Sequence, residues 1–281
     1  MTTTIQSALH MARRLIQTAS DSAALDVQVL LANVLGVDRA YLLTHSDQTL
    51  TSDQETQFMV LVERCAVGEP LAYLLGRRAF YDRELIVSPA VLVPRPETEL
   101  LLEKGLAFAN SHPALTVVDV GTGSGALAVT LSALCPHATV YATDMSPAAL
   151  AIAHQNAALH NANVIFYEGD LLLPLLERDI HVDLIMANLP YIPSNEVPTL
   201  AVSQYEPVLA LDGGVDGLDL VRRLLVQAQS LINPHGLTLL EIGAGQGAAA
   251  SREVLVVFPE AHVTVELDYA GLDRIVVSEH K

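Results

Sequence analysis

Four residues after an apolar run could hold a planar nitrogen group. The run Asp183-Leu184-Ile185-Met186 leads into Ala187-Asn188-Leu189-Pro190-Tyr191-Ile192-Pro193. A plain strand exit does not need an amide, a proline and an aromatic ring side by side. Asn188 offers a side-chain carbonyl that accepts hydrogen bonds. The backbone carbonyl of Leu189 offers a second acceptor. Pro190 stiffens the turn that aims them, and the Tyr191 ring can pack against a flat substrate group. Two acceptors and a ring suit an amide or exocyclic amino nitrogen, whose two N–H hydrogens they would grip. The lone pair of such a nitrogen is delocalised and reacts poorly. Gripping both hydrogens aims that lone pair at an electrophile, so catalysis would rest on orientation and electrostatics, with no ionised base.

A second set of residues could seat the group that carries the electrophile. Asp119-Val120-Gly121-Thr122-Gly123-Ser124-Gly125 closes one β-branched stretch and opens a helix. Glycines there let the backbone turn sharply and approach a ligand. Their spacing is one residue short of the G-x-G-x-x-G dinucleotide fingerprint, which counts against a nicotinamide cofactor. Asp144 closes the next β-rich run, where a carboxylate can accept both hydroxyl hydrogens of a ribose. Asp170 closes the third, within Glu168-Gly169-Asp170, and is placed to meet the adenine edge. Each feature also has a plain structural reading: a tight turn for the glycines, a helix N-terminal acid for Asp144, a turn cap for Asn188. Polar groups converging on one sheet edge favour a crevice for an adenosine-bearing cofactor.

These residues need a sheet whose strands end together. From Leu115 the sequence alternates strand and helix: LTVVDV, ATVYAT, NVIFYE, VDLIMA, GLTLLEIG, HVTVELD and RIVVSE read as seven strands. Helices separate most of them, one over Ser146–His160 with Pro147 at its first position and another near Leu218–Ile232. The pattern predicts an α/β fold with a mostly parallel, Rossmann-like sheet. The last two strands lack a helix between them and should pair antiparallel. Residues 1–75 read instead as a small helical domain. It has a helix over 5–19, a second capped by Ser20 or Asp21 and ended by Gly36, and a third opened by the capping box Ser52-Asp53-Gln54-Glu55. Residues 76–95 read as a β-hairpin linker with its turn at Asp82-Arg83, leaving 96–281 as the domain that carries the chemistry. Two prolines around Arg95 forbid regular helix until Glu97.

Composition narrows the partners. The chain has 281 residues, 32 acidic and 15 basic, for a formal charge of −17. Such a surface repels phosphate backbones, so direct nucleic-acid binding is not expected. The only basic cluster is Arg77, Arg78 and Arg83. The ten histidines show no metal-ligand spacing, and no metal is expected. Cys65 and Cys135 read as buried free thiols of a reducing compartment. The first residues read as an amphipathic helix rather than a signal peptide, and no membrane span is expected, so a cytoplasmic monomer is the expectation. The second glycine-rich loop, Gly243 to Gly247, and the Asp212-Gly213-Gly214 and Asp216-Gly217 pairs read as structural turns.

D-x-G-x-G-x-G with an acid at the next strand end resembles the motif pair of class I S-adenosylmethionine-dependent methyltransferases. Asn188-Leu189-Pro190-Tyr191 resembles the Asn-Pro-Pro-Tyr motif of enzymes that methylate planar amide or amino nitrogens. The flanks PLAYLLGRRAFYDRELIVSPAVLVPRPETELL, QYEPVLALDGGVDGLDLVRRLL and LLEIGAGQG are similar to the peptide chain release factor glutamine methyltransferases, the PrmC/HemK family. The likeness runs from about residue 68 to the end. It implies that Gly121, Thr122, Gly123, Ser124 and Gly125 bind S-adenosyl-L-methionine, with Asp144 on the ribose and Asp170 and Leu171 beside the adenine. Asn188, Leu189, Pro190 and Tyr191 would grip the substrate glutamine, Arg95 to Thr98 would line the entrance, and Glu206-Pro207 would support the substrate side. The implied reaction methylates N5 of the glutamine in the Gly-Gly-Gln loop of class 1 release factors and leaves S-adenosyl-L-homocysteine. The helical domain would recognise that partner. A ribosomal-protein glutamine methyltransferase is the alternative, and an adenine-N6 nucleic-acid methyltransferase is a weaker one. Leu189 departs from the family's usual proline, which predicts a less rigid loop and a slower enzyme.

Overall fold

The computed structural model describes residues 3–281. The chain divides into two compact units, one ending at Arg77 and one beginning at Arg78.

The first unit is helical: α1 (Ile5–Ile16), α2 (Ala23–Leu35), α3 (Arg39–Thr44), α4 (Ser52–Ala66) and α5 (Leu71–Leu75). Ile5, Ala8, Ala12 and Ile16 make one apolar stripe on α1, packed with Val27, Leu30 and Leu31 of α2 and Phe58 and Val62 of α4. This is the three-and-four spacing of a buried helix face. The capping box of α4 sits one residue before the predicted one. Thr51 Oγ1 accepts from the Gln54 N–H and Gln54 Oε1 accepts from the Thr51 N–H, because T-x-x-Q serves as well as S-x-x-E. Helix α2 starts later than predicted, at Ala23, because the Ser20 and Ser22 hydroxyls both donate to the Asp26 carboxylate. Helices α3 and α5 were not foreseen; each is too short to show a period.

The second unit opens on a hairpin whose strands are β1 (Arg77–Phe80) and β2 (Arg83–Ile86). Its turn is Tyr81-Asp82, one residue before the predicted pair, and Tyr81 takes φ +55°. A two-residue hairpin loop needs that left-handed first residue. The chain continues through α6 (Thr98–Asn110), β3 (Leu115–Val120), α7 (Ala126–Leu134), β4 (Ala138–Asp144), α8 (Pro147–Leu159), β5 (Val164–Glu168), α9 (Leu173–Leu176) and β6 (Val182–Ala187). Three 3₁₀ turns span residues 197–210, followed by α10 (Asp219–Ala228), β7 (Ile232–Glu241), α11 (Gly247–Val257), β8 (His262–Leu267) and β9 (Asp273–Glu279). The predicted helix to Ile232 stops at Ala228. Ile232 already pairs with Val182, and the ladder then jumps to Leu184–Leu237 across a bulge.

Seven strands stand in the order β5-β4-β3-β6-β7-β9-β8. All neighbours are parallel except β9, which runs antiparallel to β7 and β8. Strand alternation divides the core. Val117, Val140, Leu184, Met186 and Leu239 pack under α6 and α7, while Val118, Val120, Ile185, Ala187 and Leu240 pack under α10 and α11. Both faces are covered, so the parallel strands are apolar throughout. Gly105 lets α6 lie close on the sheet; a Cβ there would meet Met186 Sδ at 2.6 Å. Strands are added to one side of β3 up to β5 and to its other side from β6 on, so the winding order switches between the parallel strands β3 and β6. Their carboxyl ends open the crevice that such a switch point creates.

Candidate active site

The glycine loop is held from beneath by a buried acid. Asp119, 1% exposed, accepts from Thr122 Oγ1 at 2.7 Å and from the Ala128 N–H at 3.1 Å. Burial pushes its carboxyl up to about 6, against those two donors. Gly121, Gly123 and Gly125 take φ of +73°, +56° and +82°, a region costly for residues with a Cβ. At Gly125 a Cβ would also press on Val129 at 2.9 Å. A Cβ on Gly123 would meet nothing within 4 Å, so this part of the cradle is open. Buried Asn156 ties the loop to the hairpin: its Nδ2 donates to the Ser124 and Ile86 carbonyls and its Oδ1 accepts from the Ile86 N–H.

The acids at the next two strand ends face different tasks. Asp144 Oδ2 accepts from the Gly123 N–H at 2.9 Å and Oδ1 from the Ser146 N–H at 2.8 Å. Burial raises its carboxyl above the usual range although both N–H groups oppose this. With about four acceptor sites the carboxylate keeps spare capacity for a ligand. Asp170 takes the Arg223 guanidinium, so a cation on α10 caps the far end of the crevice. Leu171 is buried at φ +52°, and the Leu172 N–H beyond it donates to Gln227 Oε1.

Asn188 leaves β6 half-buried, and its Nδ2 donates to Thr98 Oγ1 at 2.9 Å. Behind that pair stands Glu241 at the end of β7, 2% exposed. Burial pushes its carboxyl up to about 7, against the polar hydrogens of nearby Thr98 and Asn188 and the charge of Arg274. Arg95 pairs with buried Glu206 at 2.5 Å. A cavity of about 320 Å³ gathers these elements. Its lining includes Arg95, Thr98, Gly121, Gly123, Asp144, Asp170, Leu171, Asn188, Leu189 and Pro190. Thr122 and Ser124 line it as well, whereas Gly125 and Tyr191 do not. A Cβ on Gly243 would touch the Tyr191 ring at 3.3 Å. Burial beside Glu241 raises the phenol.

Known proteins resemble both parts of the chain. The PrmC N-terminal domain family matches residues 7–76 and a methyltransferase domain family matches residues 117–213. A release factor glutamine methyltransferase of Moorella thermoacetica is 41% identical over 275 residues, 96% of each chain. One from Bacillus anthracis is 37% identical over 257 residues, 90% of this chain and 91% of that one. The chain belongs to the release factor glutamine methyltransferase family. Among solved structures, a ribosomal protein L11 methylase of Lactobacillus delbrueckii is similar in fold, with TM-score 0.51 and 23% identity over 69% of this chain and 84% of that one. The 16S rRNA N2 G1207 methyltransferase of T. thermophilus, solved with AdoMet and guanosine, aligns with TM-score 0.54 and 16% identity over 73% of this chain and 50% of that one.

In this member of the family the Asn-Leu-Pro-Tyr segment is strapped by two loops that the sequence offered only as turns. The Ile192 N–H donates to the Leu211 carbonyl, the Gly213 N–H to the Ile192 carbonyl, and the Ser194 N–H to the Gly214 carbonyl. Gln246 Nε2 donates to the Tyr191 carbonyl at 3.0 Å while its Oε1 accepts from the Gly243 N–H. The signal available in sequence was glycine density. Gly213 lies so close that a Cβ would meet the Pro190 carbonyl oxygen at 2.5 Å. Gly217, at φ +79°, would drive a Cβ into the Tyr191 carbonyl. Gly217→Ala is therefore expected to lower stability by at least about 2 kcal/mol, measured by urea unfolding; an unchanged midpoint would show that the strap yields.

The strap also bears on the expectation of a loose loop at Leu189. That side chain is 4% exposed and lies against Gly121, where a Cβ would meet its Cδ2 at 3.1 Å. Packing and backbone bonds hold the turn without a second proline. Leu189→Pro should leave turnover within about threefold of wild type and cost about 1–2 kcal/mol through the lost buried side chain. A large gain in turnover would restore the rigidity argument. Among the described residues, no cluster of His, Cys, Asp or Glu could hold a metal ion, and no helix is long and apolar enough to cross a membrane.

Proposed function

We propose that the chain transfers the methyl group of S-adenosyl-L-methionine to N5 of the glutamine in the Gly-Gly-Gln loop of class 1 peptide chain release factors. The observation that carries this reading is the orientation of Asn188. Its NH₂ is committed inward to Thr98, which leaves Oδ1 for the cavity side. The Leu189 carbonyl, one residue on, takes no backbone hydrogen bond among the described residues. Two adjacent acceptors match the two N–H groups of a primary amide.

The cradle suits the cofactor on this chain's own features: open space at Gly123, spare lone pairs on Asp144, and apolar Leu171 at the far end. Bound S-adenosyl-L-methionine would supply an electrophilic methyl on a sulfonium. Asn188 and the Leu189 carbonyl would hold the amide so that its nitrogen lone pair faces that methyl. The nitrogen would gain one C–N bond as the methyl's bond to the sulfonium sulfur breaks, and would lose a proton to water afterwards, so no base need be ionised beforehand. The Tyr191 ring, beside Glu241, would back the clamp, and Arg95 held by Glu206 would border the entry. The helical unit would carry recognition of the release factor.

Labelled methyl donor with a purified release factor, beside a Gln→Ala variant of its Gly-Gly-Gln loop, tests the reading. Label on wild-type factor alone is expected. Label on the variant, or none on either, would overturn it. A ribosomal protein and a DNA duplex in parallel reactions test the alternatives.

A further inference from the structure

Glu241 is a buried acid that the proposed chemistry does not use. Its Oε2 has no hydrogen-bond partner among the described residues, and such a group is costly to bury. It follows Leu240, the strand partner of Ala187, so it stands beside Asn188 where β6 and β7 end, and it lies near Thr98. The direction of those bonds is constrained. An Asn NH₂ only donates, and a hydroxyl has a single hydrogen. Thr98 Oγ1 accepts one Asn188 hydrogen, so its own hydrogen must go elsewhere, and Glu241 is the acceptor in reach. The Asn188 NH₂ is thus turned inward, toward Thr98 and the acid beside it.

We infer that Glu241, acting through Thr98, is the positioning residue that sets which face of the Asn188 amide meets the substrate. This rests on the proposed role of Asn188 as an acceptor for the substrate amide. An ionised Glu241 is acceptor-only and holds the Asn188 NH₂ inside, leaving Oδ1 outward. A protonated Glu241 carries a donor, and Asn188 Oδ1 can then turn inward to accept. The amide would next present N–H to the substrate's N–H, and the clamp would repel what it should hold. Activity therefore needs the ionised acid. Its carboxyl lies at about 7, so turnover rises as pH climbs through neutrality and fails below it. Among the described residues, the ionisable groups facing it are Glu97 before α6, which raises it, and Arg274 on β9, which lowers it. Tyr191 also lies beside it. Arg274 is itself paired with Asp268.

Two measurements test this. In protein labelled with ¹⁵N-asparagine, the Asn188 side-chain NH₂ signal should titrate near pH 7 in wild type and stay flat in Glu241→Gln. With release factor as substrate, Glu241→Gln and Thr98→Val should each lose about tenfold in kcat, the scale of one charge-assisted hydrogen bond. KM and cofactor affinity should hold within about twofold, the acid limb should vanish in Glu241→Gln, and Thr98→Ser should restore turnover. An Asn188 signal that does not titrate in wild type, or titrates unchanged in Glu241→Gln, overturns the inference. So does a loss of cofactor affinity in step with kcat, the mark of a merely structural acid. If wild type labels no release factor, the proposed function fails, and the resonance comparison still decides the role of Glu241.

Discussion

Asn188→Ala should cut methyl transfer by at least about a thousandfold while leaving cofactor affinity within a few-fold of wild type. The side chain supplies one of two acceptors that hold the substrate amide, and losing a preorganised polar contact of this kind costs about 10²–10³ in rate. The remainder follows from geometry: with Oδ1 gone, the amide can rotate about its bond to the Leu189 carbonyl and turn its lone pair away. Folding should survive. Asn188 is half-buried, its one side-chain hydrogen bond goes to Thr98, and water can take over that hydroxyl. Transfer of labelled methyl and calorimetric titration of the cofactor read the two effects separately. Loss of cofactor binding in step with transfer would give Asn188 a different role.

The second large effect concerns Asp144. Asp144→Ala should weaken S-adenosyl-L-methionine binding by about a hundredfold, the scale of two hydrogen bonds to a charged group. The change also frees the Gly123 N–H, which the carboxylate fixes at 2.9 Å. Turnover at saturating cofactor should recover most of its wild-type value, because Asp144 stands away from the amide clamp. The pH dependence has a definite sign. Burial raises this carboxyl, so it takes up a proton at higher pH than an exposed aspartate, and cofactor affinity should start to fall earlier on acidification. The same shift means that folding gains nothing from this group above its native value, because the charged form is the less favourable one in the fold. Equal affinity for wild type and Asp144→Ala would remove the acid from the cofactor site.

Much of the second unit was legible because its strands are buried on both faces and read as short apolar runs. The seven strands follow from those runs, and the antiparallel last pair follows from the missing helix after Leu267; the order of the strands in the sheet was not read. Strand ends were equally readable, since a polar residue closing an apolar run is conspicuous, as at Asp144 and Asn188. Three things escaped. Cap positions slipped by a residue where two hydroxyl residues adjoin, as at Thr51 and Ser52. Partners brought together only by the fold, such as Thr98 with Asn188 and Asp170 with Arg223, leave no trace in local spacing. Glycines 213 and 217 looked like ordinary turn residues because their purpose lies in closeness to a backbone more than twenty residues away.

The strap has a consequence for the newly made chain. The Asn-Leu-Pro-Tyr segment is synthesised by residue 191, yet its backbone partners arrive at 211–214 and its last one, Gln246, later still. Strand β9, which separates β7 from β8, arrives after that. A nascent chain thus carries the reactive motif through 55 further residues, from Tyr191 to Gln246, before the last bond of the strap can form. Competence to act on a substrate is in this way deferred until the polypeptide is nearly finished.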